Sequence, residues 1–314
     1  MACQNLSVTE DQLDGGNTGG AIRVGETVRR PVGPWTPAVH ALLAHLAVKG
    51  FSGAPRPLGI DDAGREILTF LEGETVGSAK PWPDWTHAED TLEQVARWLR
   101  AYHEAVADFV PPQGAVWREG GQWSPGLIIG HNDAAPYNAA WREGELAGFF
   151  DWDFAAPVTP EWDLAFTAFS WVPLHARHVV AAEGFTDFTA RPQRLRRFLD
   201  IYGWSGSPTA FIEVVQARAH AHAEGIRRLA AEGESLFRQV ATPRRRRRPR
   251  PRHRRIGRAL NLTPQSNIGP HAASDADHCD QVSHSSKSRR HPTKHEDQVQ
   301  LSRVFLRYRW SSQP

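Results

Sequence analysis

The sequence predicts an α+β chain of two lobes, a small β-rich first lobe and a mainly helical second one. Three observations predict it. Short strand-like runs separated by glycine turns crowd residues 1–73, three-and-four apolar spacing dominates residues 74–242, and a polar loop followed by a hairpin interrupts that second stretch. A chain of 314 residues is long enough for one large core or two modest ones.

In order along the chain, LDGGNTGGAIRVGETVRRP reads as a glycine-rich loop and two short strands, Ala21 to Val24 and Thr27 to Arg30, joined at Gly25 and Glu26. Thr36 is placed to cap a helix that starts at Pro37, with Val39, Leu42, Leu43 and Leu46 on one face and Gly50 after its end. A further strand is expected from Glu66 to Leu71. Residues 88–108 carry Leu92, Val95, Ala96, Leu99, Tyr102 and Val106 at helical spacing. A hairpin follows, with strands Ala139 to Trp141 and Leu146 to Phe150 about a turn at Glu143 and Gly144. Helices are then expected over about Glu161 to Phe169, Pro192 to Tyr202 and Pro208 to Leu229.

Charge divides the chain at Thr242. Residues 1–242 hold 20 Lys and Arg against 30 Asp and Glu, and residues 243–314 hold 17 against 5. An acidic body suits a cationic partner, since a cleft of one sign concentrates the other. The basic segment opens with PRRRRRPRPRHRR and has too few apolar residues to offset its ordering entropy, so a disordered tail is expected over 243–314. Such a run can touch nucleic acid through phosphates, but it lacks the interleaved aromatics that make contact specific. So abrupt a change also fits a segment translated in an unrelated frame. Cys3 and Cys279 make no disulfide framework, the first residues have no basic start or apolar run, and no stretch reaches membrane-spanning length. A cytoplasmic protein without a membrane segment is expected.

The chemistry concentrates at His131, Asp133 and Asn138, with Asp151 beyond the hairpin. Phosphoryl transfer needs a carboxylate to take the acceptor's proton and oxygen ligands for a metal on the phosphates. Asp133 can be the first; Asn138 and Asp151 can be the second, because a hairpin brings its two ends together.

This wording, HNDAAPYN followed by FFDWDFAAPVTPEWDLA, resembles the aminoglycoside phosphotransferase and choline kinase group of the protein-kinase-like fold. The resemblance spans roughly residues 13–240. It implies a Mg2+-dependent kinase that moves the ATP γ-phosphoryl group, with GTP an open alternative, to a hydroxyl of a small acceptor. Asp133 would be the base, His131 a support for its loop, Asn138 and Asp151 the metal ligands, and Asp163 structural. Gly16, Gly19 and Gly20 would cover the phosphates, while Thr69 and Leu71 lie in the adenine hinge. Two departures stand out. Arg30 or Arg29 replaces the expected phosphate-pairing Lys, and the helix that should pair it offers His40 and His45 but no Glu. A fold that binds nucleotide without turnover is therefore the second reading.

Overall fold

The structure, a computed structural model, describes residues 10–13, 20–77 and 79–232. Gly16, Gly19, both cysteines and the basic segment 243–314, with the expectations attached to them, lie outside the described residues.

The first lobe is a five-stranded antiparallel sheet in the order β1, β2, β3, β5, β4, made of Glu10–Gln12, Ile22–Val24, Thr27–Pro31, Arg65–Thr69 and Pro57–Ile60. The β2–β3 hairpin turns at Gly25 and Glu26 as the sequence implies, whereas β1 and β4 are too short to show a period of two. Between β3 and β4 runs α1, Thr36–Val48. Its cap is Trp35 rather than Thr36, whose hydroxyl accepts instead from the Gly33 N–H at 2.9 Å. Val39, Leu42, Leu43 and Leu46 form its buried face.

The second lobe is built on α2, Glu89–Ala105, whose apolar stripe from Leu92 to Tyr102 is fully buried. A strand β6, Ile128–Gly130, pairs with β9, Ala156–Val158, and so clamps both ends of the intervening segment. That segment holds the hairpin of β7, Ala139–Arg142, and β8, Glu145–Phe149. Helices α3 (Pro160–Trp171), α4 (Arg177–Ala182), α5 (Arg191–Tyr202) and α6 (Pro208–Glu232) complete it, with α5 packed on α2 and α6 on α3. The architecture is α+β and bilobal. The short α4, and the β6–β9 pair that joins distant triplets, are not anticipated by periodicity.

Two close backbone approaches tie the hairpin to the first lobe and the segment after it. The Gly53 carbonyl accepts from the Phe149 N–H at 3.1 Å and from Trp98 Nε1 at 3.0 Å. Gly148 lies against it with φ of 147°, and a Cβ there would meet Gly53 O at 2.4 Å. Beyond β5, Glu74 and Trp141 exchange backbone hydrogen bonds of 2.7 and 2.9 Å, so the segment after β5 docks directly on β7. Gly148→Ala is expected to cost about 2 kcal/mol, because it combines a strained φ with a backbone clash; the midpoint of urea unfolding measures it.

Candidate active site

The site is built around a buried carboxylate, Asp163. Asp163 sits in the first turn of α3, whose cap Thr159 accepts from the Trp162 N–H at 3.3 Å. It is fully buried and accepts from the backbone N–H of His131 at 3.0 Å, that of Asn132 at 2.7 Å, and His103 Nε2 at 3.0 Å. Burial alone would push this carboxyl up, but His103 and the other donors hold it below its ordinary value, so it stays charged. Asn132 takes a left-handed φ of 61°, a conformation that Asn tolerates better than most side-chain-bearing residues. Its amide donates to Phe154 O at 3.1 Å, and Arg218 of α6 donates to its carbonyl at 3.2 Å. The indole of Trp171 donates to Ala134 O at 2.9 Å. The loop is thus gripped from α2, α3, α6 and the β8–β9 segment.

Held this way, the loop aims Asp133 inward. The residue is 4 % exposed; its Oδ1 accepts from the Tyr137 phenol at 2.7 Å and its Oδ2 from Asn138 Nδ2 at 2.8 Å. Burial, with the nearby Asp151 charge adding to it, pushes Asp133 up to about 8 against the pull of these donors. Two buried aspartates around one loop are therefore shifted in opposite directions. His131 is fully buried and its imidazole is pushed down, chiefly by that burial. Its Nδ1 accepts from the Asp133 N–H at 3.3 Å, which fits a neutral ring supporting the loop.

The hairpin closes on itself as its spacing implies. Phe150 N–H donates to Asn138 O at 2.9 Å, which sets Asp151 beside Asn138. Asp151 has a left-handed φ of 61° at the head of the turn Trp152–Phe154. Asn138 directs its amide N–H groups to Asp133, which leaves its side-chain oxygen as a hard donor.

Arg30 reaches this corner from β3. Its Nη1 lies 3.3 Å from Asp151 Oδ1, and the guanidinium also binds Asp153 and Glu66. Glu66 sits directly opposite Arg30 in the β3–β5 register and receives His40 Nε2 of α1 at 2.8 Å. A paired cation is thus present, with its carboxylate supplied by a neighbouring strand instead of the helix. Burial opposes the charge on Arg30, yet Asp153, Asp151 and Glu66 raise its pKa. Arg29 alternates to the other face, with Thr27 Oγ1 at 2.6 Å and Asp61 at 3.8 Å. Arg118 donates to Asp153 at 3.3 Å and lies 4.7 Å over Trp35. Thr69 closes β5 with its hydroxyl bound by the Arg56 N–H at 2.8 Å, Leu71 follows the strand, and Gly20 precedes β2 with φ of 101°.

On the far side of Tyr137 lies a pocket walled by Lys80, Trp82, Pro136, Ser170, His175 and Glu183. Lys80 Nζ pairs with Glu183 at 2.6 Å, and burial pushes His175 down to about 3, so these wall residues carry no net charge. The acidity of the body is not focused here.

A family model described as "Phosphotransferase enzyme family" matches residues 115–198, the stretch that holds this loop and hairpin. A trifolitoxin immunity protein of Rhizobium leguminosarum bv. trifolii is 36% identical over 198 residues, covering 62% of this chain and 74% of that protein. The chain belongs to this phosphotransferase family. Among solved structures, an amicoumacin kinase in complex with AMP-PNP, Ca2+ and Ami superposes with a TM-score of 0.51 at 9% identity, covering 71% of this chain and 80% of that one. A choline/ethanolamine kinase family protein from Mesorhizobium loti gives 0.50 at 14%, over 75% and 85%. Both likenesses concern the kinase-like fold.

Glu66 and Tyr137 are the site neighbours that the motif does not name. Strand register would have exposed the first, since Arg30 and Glu66 oppose each other; nothing in spacing marks the second.

A raised carboxyl means that the folded chain holds a proton the unfolded chain has lost. Asp133 should therefore subtract stability progressively as pH rises from its ordinary value near 3.8 through about 8. In metal-free buffer, Asp133→Asn should gain on the parent in Tm across that window and level off above it, read by calorimetry at pH 5, 7 and 9.

Proposed function

We propose that this family member transfers the γ-phosphoryl group of ATP to a hydroxyl of a small acceptor, with Asp133 as the base and Arg30 as the phosphate-pairing cation. The observation that carries the reading is the convergence of Asp133, Asn138, Asp151 and Arg30 on one corner, although they come from a loop, the two ends of a hairpin and the opposite lobe. Nucleotide would lie between the lobe of residues 1–73 and that of residues 74–242, under the glycine loop and along the hinge at Thr69 and Leu71.

Asn138 and Asp151 would hold Mg2+. A pair of hard oxygen donors suits an ion that takes few protein ligands. A bound ion would neutralise charge on the phosphates. The remaining work belongs to the side chains. Asp133 orients the acceptor hydroxyl and takes its proton, Arg30 faces the phosphate charge, and His131 with Asp163 keeps the loop from yielding. The Arg30, Glu66 and His40 contacts supply the paired cation whose absence from the motif favoured binding without turnover, and so they support catalysis.

A relative named for trifolitoxin immunity supports an acceptor that is itself a toxin, disarmed by phosphorylation. The nucleotide ties the reaction to the cytoplasm, and among the described residues no helix is long and apolar enough to cross a membrane.

Thermal shift with ATP or GTP, with and without Mg2+, tests the assignment. Ligand at 100 times Kd adds about 2.7 kcal/mol of stability. Asp133→Asn should keep that Mg2+-dependent shift and lose transfer to hydroxylated antibiotics by about 100-fold or more, whereas Asp151→Ala should lose the shift as well. Full transfer activity in both variants would remove these roles.

A further inference from the structure

Both oxygens of the Asp133 carboxylate are engaged by neighbours from the same short turn, Pro136–Asn138. The Asn138 amide is fixed twice, donating to Oδ2 at 2.8 Å and to the Asp133 carbonyl at 2.9 Å. On Oδ1 the phenol of Tyr137 donates at 2.7 Å. That distance is the one a general base needs from the hydroxyl it deprotonates. The phenol is also part-buried and forms one wall of the pocket with Lys80, Trp82 and Glu183. Because Asp133 is only 4 % exposed and both its oxygens are already hydrogen-bonded, a hydroxyl that binds Oδ1 has to take the place of the phenol.

We propose that Tyr137 stands in for the acceptor: its phenol holds the hydrogen bond on Asp133 Oδ1 that the acceptor hydroxyl takes during transfer, and so keeps water off the base while no acceptor is bound. The inference rests on Asp133 being the base. It makes Tyr137 a positioning residue with a protective effect, since a kinase whose base is open to water spends nucleotide without product. In the suppressed reaction, water oxygen bonds to the γ-phosphorus while its proton passes to Asp133 Oδ1. The bond from that phosphorus to the bridging oxygen breaks, and ADP and phosphate leave.

The test is hydrolysis of Mg-ATP by the full chain with no acceptor present, comparing the parent, Tyr137→Phe, Tyr137→Leu, Asp133→Asn and the Tyr137→Phe/Asp133→Asn double variant. Removing the hydroxyl should raise kcat for hydrolysis roughly threefold or more while KM for Mg-ATP holds. Both variants carrying Asp133→Asn should be inactive. A structural role alone would lower kcat or leave it unchanged, and either result in both Tyr137 variants overturns the proposal. If Mg-ATP still raises Tm but no protein hydrolyses it, the proposal is again overturned, because freeing Oδ1 admitted no water. If Mg-ATP gives no rise in Tm even in the parent, the nucleotide reading of the site has failed and the proposal falls with it.

Discussion

The hydrogen bonds that converge on Asp163 are the constraint from which the rest of the second lobe is arranged. A fully buried carboxylate is tolerable only when its lone pairs are met, and the partners it collects are the two backbone N–H groups that open the HND turn and the imidazole of His103. His103 is fixed in turn by the Tyr202 hydroxyl at 2.7 Å, so α2, α3 and α5 share one polar centre. Gly130 fits beside it because a Cβ there would meet the Asp163 carboxyl at 2.9 Å. With that centre in place, the left-handed turn at Asn132 becomes affordable and Asp133 is delivered to a defined position.

The opposite treatment of the two aspartates follows from donor count. Asp163 meets three donors that favour its charge, whereas Asp133 meets two under comparable burial and also faces Asp151. A carboxylate that is uncomfortable when charged gains most from a partner that offers it a proton, which is what an acceptor hydroxyl does. Left-handed backbone at Asn132 and Asp151 brackets the same corner, in two residue types that tolerate it, while Glu143 adopts it in the β7–β8 turn.

Much of this was legible in the sequence, and the reasons differ by element. The amphipathic α2, the β2–β3 hairpin and the β7–β8 hairpin declare themselves because period and turn residues agree. His131, Asp133, Asn138 and Asp151 declare themselves because loop and hairpin fix their separation within 21 residues of sequence. Glu66 does not, because its meeting with Arg30 depends on the register of strands 36 residues apart. Strands β6 and β9 hide for the same reason: each is three residues long and its partner lies across the whole hairpin in sequence. Trp171 reads equally well as a pocket wall or as core, and only the direction of its indole N–H, toward Ala134, decides for the loop. Tyr137 carries no pattern at all.

The cross-strand seat of Glu66 has one more consequence. In protein kinases the carboxylate that steadies the phosphate-pairing cation rides on a helix, and the helix can swing to disconnect it. Here the pair joins opposing residues of adjacent strands, so it assembles with the sheet and cannot be uncoupled by moving α1, whose His40 only braces it from outside. The arrangement surrenders an on-off lever. For the role proposed for Arg30, the pair is complete as soon as β3 and β5 have joined, with no movement of a helix needed to bring its carboxylate in.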